Sequence, residues 1–529
     1  MSIATEPVTQ RDPNAMSHRQ ILESLVGLLA ALFTALLSST IVATALPTII
    51  ADLNGTQTAY SWVITTALLT TAASTPIWGK LADLFNKKSL VQIAIVIFVC
   101  GSIFAGFAHN VPLLLAARAV QGVGMGGLTA LVVAIIGTIV APRDRGRYSG
   151  YMGAVTAVSM SGGPILGGVI VDSPLGWRWC FFVCIPLAVI ALFLLQRTLH
   201  ITTVRKDDVS IDWLGALLMT AGVSTLLIWV SFAGDSYAWM SEQTVILVGA
   251  GVALLAATIF VEMKAKAPII PLKIVTERTT GLAIISSVAV GVGLFGATTF
   301  LGQYFQIARG FSPADAGLLT IPLVVGMLLG SVISGQIITR TGKWKAFVVF
   351  GAALLVIGFG LLGTIDHQTS LWLLGVFMLT VGFGVGNLLQ NLVLAVQNTV
   401  SVQNVGAASS SVAFFRTFGG AVGVSVLGSM LATRVADLSA AGLANLGISG
   451  GGGGGSLDLA ALPAPVQEIM RAAYGDATGR IFMIAAAVAV VTLVAVVLLP
   501  NRPLRRTIDI EPSDDAQLVD MTKETVAAR

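Results

Sequence analysis

Long apolar runs separated by short polar connections make up most of the chain, and the runs have the length a helix needs to cross a bilayer. A hydrocarbon core about 30 Å thick takes roughly 20 apolar residues in helical form. Fourteen segments meet that length: 20–47, 58–82, 89–108, 112–140, 148–171, 179–199, 212–233, 242–263, 280–306, 314–338, 345–364, 371–397, 405–434 and 478–500. Residues 1–19 are polar and mixed in charge, and residues 501–529 form a second polar tail. The first apolar run is too long for a signal-peptide core and lacks a small-residue cleavage pattern, so it reads as a retained span.

Composition agrees with this pattern. Only 11% of residues are charged and 55% are hydrophobic, whereas soluble domains carry roughly 25% charge. A soluble chain of this length would expose too much apolar surface, so lipid has to cover it.

Charge placement then orients the spans. Basic residues concentrate in the loops that stay in the cytoplasm. With both ends inside, that side receives 23 of the 30 basic residues, among them Lys80, Lys87, Lys88, Arg143, Arg145 and Arg147. The opposite side holds Arg178, Arg309, Arg434, Arg471 and Arg480, while Arg118 and Arg416 lie inside spans. A missed or invented early span would scramble this asymmetry. One extracytoplasmic connection is long, 435–477, and contains six consecutive glycines, Gly450 to Gly455. That composition belongs to a flexible tether or to a cap at the outer mouth, with a short amphipathic helix near Pro465 to Tyr474.

Between the second and third spans the chain reads Gly79-Lys-Leu-Ala-Asp83-Leu-Phe-Asn-Lys87-Lys88. Gly79 permits close helix approach, and Asp83 can accept hydrogen bonds from a neighbouring helix N-terminus or a basic side chain. A fainter echo, Gly335 through Arg340, Gly342 and Lys345, occupies the corresponding loop after the tenth span. The repetition points to two six-helix halves, 20–199 and 280–500, with two helices, 212–263, inserted between them. The fourth span carries Arg118-Ala-Val-Gln121-Gly122-Val-Gly124-Met-Gly126. A charge this deep costs about 2.5–3.5 kcal/mol on insertion scales, so Arg118 should face the bundle interior. In the fifth span Gly150, Ser159, Gly163, Pro164, Gly167 and Gly168 form a small-residue face with a proline bend, suited to a tight helix contact.

These stretches, in this order, resemble the loop, fourth-span and antiporter signatures of the major facilitator superfamily. Further stretches are similar to its fourteen-helix drug:proton antiporter family: Pro142 to Gly146, Trp177-Arg178-Trp179, Asp212 to Gly215, Gln303 to Gln306, and Phe414-Phe415-Arg416 with Gly419-Gly420. The resemblance covers residues 25 to 500 or so. It implies an all-α membrane protein of the major facilitator fold, working as a proton-coupled exporter of small amphiphilic or toxic compounds in the bacterial cytoplasmic membrane. It also implies a proton-coupling role for Arg118 and a gating role for the Gly79–Asp83 loop. Lipid or specific-metabolite export fits the same signatures. An uptake permease shares the fold but should lack the Gly163-Pro164 seal.

One departure bears on mechanism. The resembling family has an aspartate in the first span where Ser38 stands here. No Asp or Glu lies deep in any expected span, whereas Arg118 and Arg416 do. Holding a dication in a low-dielectric cavity without a countercharge is costly. Neutral or anionic amphiphiles are therefore the expected substrates, with Asp83, Glu262 and Asp315 as candidate proton carriers. Candidate cavity residues are Ser38, Trp62, Gln303, Tyr304, Asn387, Gln390, Asn391 and Arg416. The amides of the twelfth span could equally bond neighbouring helices.

The remaining classes fit poorly. No nucleophile–base–acid set stands among the four histidines, and no phosphate-cradling glycine loop with lysine and hydroxyl is present. An enzyme, an organic cofactor and a metal site are not expected, and Cys100, Cys180 and Cys184 read as small apolar residues. No basic stripe suggests nucleic acid. The expected state is a monomer in lipid.

Overall fold

The computed structural model describes residues 18–53, 57–199, 212–233, 237–265, 268, 272–445 and 463–505. Among them the chain forms seventeen α-helices: α1 (His18–Asp52), α2 (Gln57–Leu84), α3 (Lys87–Gly106), α4 (Val111–Ile139), α5 (Pro142–Asp172), α6 (Trp179–Phe182), α7 (Cys184–Thr198), α8 (Trp213–Phe232), α9 (Glu242–Lys264), α10 (Leu272–Val275), α11 (Arg278–Gln303), α12 (Pro313–Leu319), α13 (Ile321–Thr341), α14 (Trp344–Leu362), α15 (Leu371–Gln397), α16 (Val405–Asn445) and α17 (Ala464–Leu498). A π-helical turn, Tyr304–Ala308, prolongs α11, and a 3-10 turn, Val402–Asn404, leads into α16.

Twelve helical segments among the described residues are long and apolar enough to span a membrane. A helix also stands at each of the two remaining expected spans, α2 and α8, outside that set of twelve. In α2 the hydropathy is lowered by Thr65, Thr66, Thr70, Thr71, Ser74 and Thr75. Thr70 and Thr75 return their hydroxyls to carbonyls within the helix, at 2.9 and 2.6 Å, and Thr71 bonds Gly122 O of α4 at 3.1 Å. Hydroxyls satisfied in this way keep a helix compatible with lipid.

Several helix ends are set by local chemistry. The Asn86 side chain accepts from Lys88 N and Ser89 N to start α3, and Asn110 accepts from Leu113 N to start α4. Gly342, at φ +73°, ends α13 in the left-handed conformation that favours glycine.

Two boundaries differ from the sequence reading. Helix α16 runs to Asn445 and α17 begins at Ala464, so much of the expected long connection 435–477 is helical. The amphipathic helix expected near Pro465 is the first part of α17 rather than a separate element. Its Ala-rich polar sequence keeps helix propensity after hydropathy has fallen. The glycine run 450–455 lies outside the described residues.

Helices α1–α7 pack with one another, and α11–α17 do the same. The first half holds two apolar cores, one around Leu28, Phe98 and Leu131 and one around Ile41, Leu46 and Phe181; the second half holds one around Tyr304, Phe359 and Leu388. Helix α8 packs on α9, on α2 and on α16, joining Ala72, Met219, Val223 and Phe414 in a smaller cluster. The inserted pair therefore bridges the halves through α8, while α9 turns Val245, Ile246, Val252 and Met263 outward.

Candidate transport pathway and its closed end

The two halves meet most specifically where α2 ends and α16 begins. Asp83 Oδ1 accepts from Gly406 N at 2.9 Å, and Oδ2 accepts from Ala407 N at 2.8 Å. These are first-turn amides of α16, which have no intrahelical acceptor and carry the positive end of the helix dipole. A Cβ on Gly79 would collide with Ser410, and one on Gly406 would stand 2.5 Å from Gly79 O. Burial pushes the Asp83 carboxyl up to about 7, although the bonds from Ala407 and Gly406 and the charges of Lys87 and Lys80 pull it down.

A second contact at the same end was not legible in the sequence. Arg145, expected as a loop cation, is 1% exposed, because α5 starts at Pro142 and carries it inward. Its guanidinium donates to Val140 O at 2.7 Å, to Gly137 O, and across the halves to Gln397 Oε1 at 3.1 Å. Gln397 Nε2 donates onward to Ser409 Oγ at 2.7 Å. The clue was the arginine's place six residues after the end of α4, inside the first turn of the next helix, but position alone does not give direction. Nearby, Arg147 N donates to Thr339 Oγ1 at 3.0 Å, and a Cβ on Gly146 would lie 2.7 Å from Gly335 O. The echo motif thus packs on α5.

The glycines of α5 divide by neighbour. A Cβ on Gly163 would strike Thr40 of α1, and one on Gly167 would lie 2.9 Å from Ile41 O. Thr40 Oγ1 also donates to Ser159 O at 3.1 Å. Gly150 faces Val332 of α13 at 3.2 Å. Pro164 meets Gly317 of α12, joining the halves toward the other end of α5. Gly168, expected in the same tight seam, has nothing within 4 Å of an added Cβ, because its direction on the helix points away from α1.

Arg118 is 4% exposed and donates to Gln121 Oε1. Gln121 Nε2 donates to Ser102 Oγ at 2.9 Å and Ser38 Oγ at 3.2 Å. The network ties α1, α3 and α4 together, with Gly122 set against Thr70 and Ala67 of α2. Ser38, expected on the cavity wall, is instead wholly buried in this seam. Among the described residues no ion pair involves Arg118 or Arg416.

Other expected cavity residues also turn out to hold helices together. Tyr304 is buried and donates to Asp366 O at 2.6 Å, whereas Gln303 is exposed. Asn391 donates to Ser334 Oγ of α13 at 3.2 Å and to Asn387 O at 2.7 Å, and Asn387 donates to Phe383 O at 2.7 Å. Trp62 lies 4.4 Å from Phe232 of α8, ring centre to ring centre. Gln390 and Arg416, like Trp62, are half-buried. Glu262 is 4% exposed near the end of α9, and Asp315 is bonded by Ser312 in the first turn of α12. Cys180 and Cys184 are buried and Cys100 is exposed. No cluster able to hold a metal occurs among the described residues.

Helix order, the paired halves and the Asp83 and Arg118 motifs converge with the comparisons to known proteins. The family described as Major Facilitator Superfamily matches residues 28–424, and the chain belongs to it. The Multidrug transporter protein MdtP of Bacillus subtilis is 34% identical over 78% of this chain and 76% of its own. The efflux pump dotC of Dothistroma septosporum is 32% identical over 92% of this chain and 85% of its own. Among solved structures, the human organic anion transporter MFSD10 superposes with a TM-score of 0.62 at 14% identity, covering 90% of this chain and 99% of that one; this establishes the fold. The protein is a multi-pass membrane protein of that fold.

Proposed function

We propose that the protein is a secondary exporter of small amphiphilic compounds, a multidrug efflux pump that works by alternating access. The observation that carries this reading is the cross-half seal at the Asp83 end, where Asp83 holds the start of α16 and Arg145 holds Gln397. Such a seal is made of few, directional bonds, so rocking the halves can break and remake it. The names of MdtP and dotC as multidrug and efflux proteins support export.

In this reading fourteen helices cross the bacterial cytoplasmic membrane, α2 and α8 included, with both chain ends inside and the Asp83 end facing the cytoplasm. The energy comes from protons in antiport, and the chain catalyses no chemical step. Arg118 couples through Gln121, and Asp83 is the carboxyl best placed to exchange a proton as the seal opens. Neutral or anionic amphiphiles are the preferred cargo, because Arg118 and Arg416 place positive charge deep within the spans, whereas the acidic residues Glu23, Asp212, Glu242, Glu262 and Asp315 lie near span ends.

Everted membrane vesicles test this reading with a panel of neutral, anionic and dicationic amphiphiles, with and without a proton gradient. Gradient-dependent accumulation of the neutral or anionic members is expected. Robust dication transport with the anions excluded would overturn the substrate class.

A further inference from the structure

A cleft of about 1000 Å³ opens between α14 and the strap that follows α17. Its polar rim is formed by Lys343, Lys345 and Arg502, and its wall by Val349, Phe350 and Ala353. Among the described residues no acidic side chain lines it. Glu277 receives Arg502 Nη1 at 3.2 Å, and no ion pair among the described residues involves Lys343 or Lys345.

The cleft is built on fixed parts. The turn at Gly342 sets Lys343 at the start of α14. Trp344 Nε1 donates to Arg502 O at 2.8 Å, Asn398 Nδ2 donates to Pro503 O at 3.0 Å, and Arg505 N donates to Asn398 Oδ1 at 3.0 Å. Leu504, within the strap, is turned inward and 7% exposed. Lys345 Nζ gives one hydrogen to Val497 O at 2.9 Å, and an ammonium has two more to give. Phe350 is 51% exposed on the outer face of a spanning helix, so the apolar wall continues into the hydrocarbon while the basic rim sits at the end of the span.

An anionic head joined to an apolar chain satisfies both parts together. We propose that this cleft binds an anionic phospholipid, its phosphate among Lys343, Lys345 and Arg502 and an acyl chain along Val349, Phe350 and Ala353. Free phosphate would use the rim but leave the wall empty. A zwitterionic lipid would fill the wall, but its own cation would oppose the rim. Each Lys or Arg beside anionic headgroups is worth about a five-fold preference, so two neutralised rim residues should cost roughly 25-fold. The lipid would also staple α14 to the strap, and through Asn398 and Gln397 to the end of α15.

Native mass spectrometry of the full-length protein in detergent, with phosphatidylglycerol or phosphatidylcholine added, tests the assignment. Retention of phosphatidylglycerol over phosphatidylcholine is expected. The Lys343→Gln/Arg502→Gln pair should lose most of it, while Lys87→Gln/Lys88→Gln, at another loop, should not. Ala353→Trp, which fills the wall and leaves every charge, should also weaken retention. Glycerol phosphate should not displace the lipid. An unchanged preference in the rim variant, or displacement by glycerol phosphate as efficient as by lipid, would overturn the proposal. If the rim variant melts early in phosphatidylcholine, the Ala353→Trp result decides.

Discussion

Arg145 on α5 and Gln397 at the end of α15 are joined by a hydrogen bond of 3.1 Å that crosses from one six-helix half to the other. The guanidinium is buried and its other bonds go to carbonyls of its own half, at Gly137 and Val140. It is thus fixed on one side and releasable on the other, as a seal that opens must be.

Arg145→Ala should therefore impair transport more than insertion. It strands two buried carbonyls and removes a charge-assisted bond worth about 1.5–3 kcal/mol, or roughly 10- to 100-fold in the closed-to-open ratio. Gln397→Leu should shift the same ratio by less, because Arg145 keeps its bonds to its own half. Labelling of a cysteine introduced at the Asp83 end reports both.

The Asp83 seal should strengthen as pH falls. The carboxyl sits at about 7 when closed, and a hydrated aspartate titrates near 3.9. A raised acid binds its proton more tightly when buried, so closure gains stability below that higher value and loses it as pH rises through about 7. From pH 8 to pH 6 the closed-to-open ratio should rise roughly tenfold. Asp83→Asn should abolish this dependence and hold the closed-to-open ratio near its low-pH value, since a neutral amide, like the protonated acid, has no charge to desolvate on closing. Spin-label distances across the seal at both pH values measure it.

The α5 glycines offer a matched pair. Gly163→Ala forces a methyl onto Thr40 and should cost about 1–3 kcal/mol. Gly168→Ala meets open space, and the gain in helix propensity should make it neutral or stabilising by up to about 1 kcal/mol. Melting of the two purified variants in one detergent separates them.

Arg118→Ala should abolish gradient-driven transport while leaving the helices inserted, because Gln121 keeps Ser38 and Ser102 as partners. Transport assays on vesicles with matched protein levels check this.

Much of the architecture could be read from hydropathy, because lipid demands near-continuous apolar runs and each expected run coincides with a helix. The ends of α16 and α17 were hidden for the same reason. Hydropathy marks where the membrane stops, and these helices continue beyond it. Ser38, Tyr304 and Asn391 show the other gap: a polar side chain on an apolar span can face a cavity or a neighbouring helix, and only the packed partner decides. Asp83 was legible because its loop motif fixes both spacing and chemistry. Arg145 was not, since a basic residue beside a span looks like any other loop cation until the next helix is seen to begin ahead of it.

The alternating seal itself is the central claim, and one distance measurement reaches it directly. Spin labels at Phe85→Cys, beyond α2, and Gln403→Cys, before α16, would be read with Cys100, Cys180 and Cys184 replaced by alanine. A short distance should dominate in the resting protein, with a second, longer population appearing on substrate or at alkaline pH. A single unchanging distance under every condition, in a protein that still transports, would contradict a seal that opens at this end.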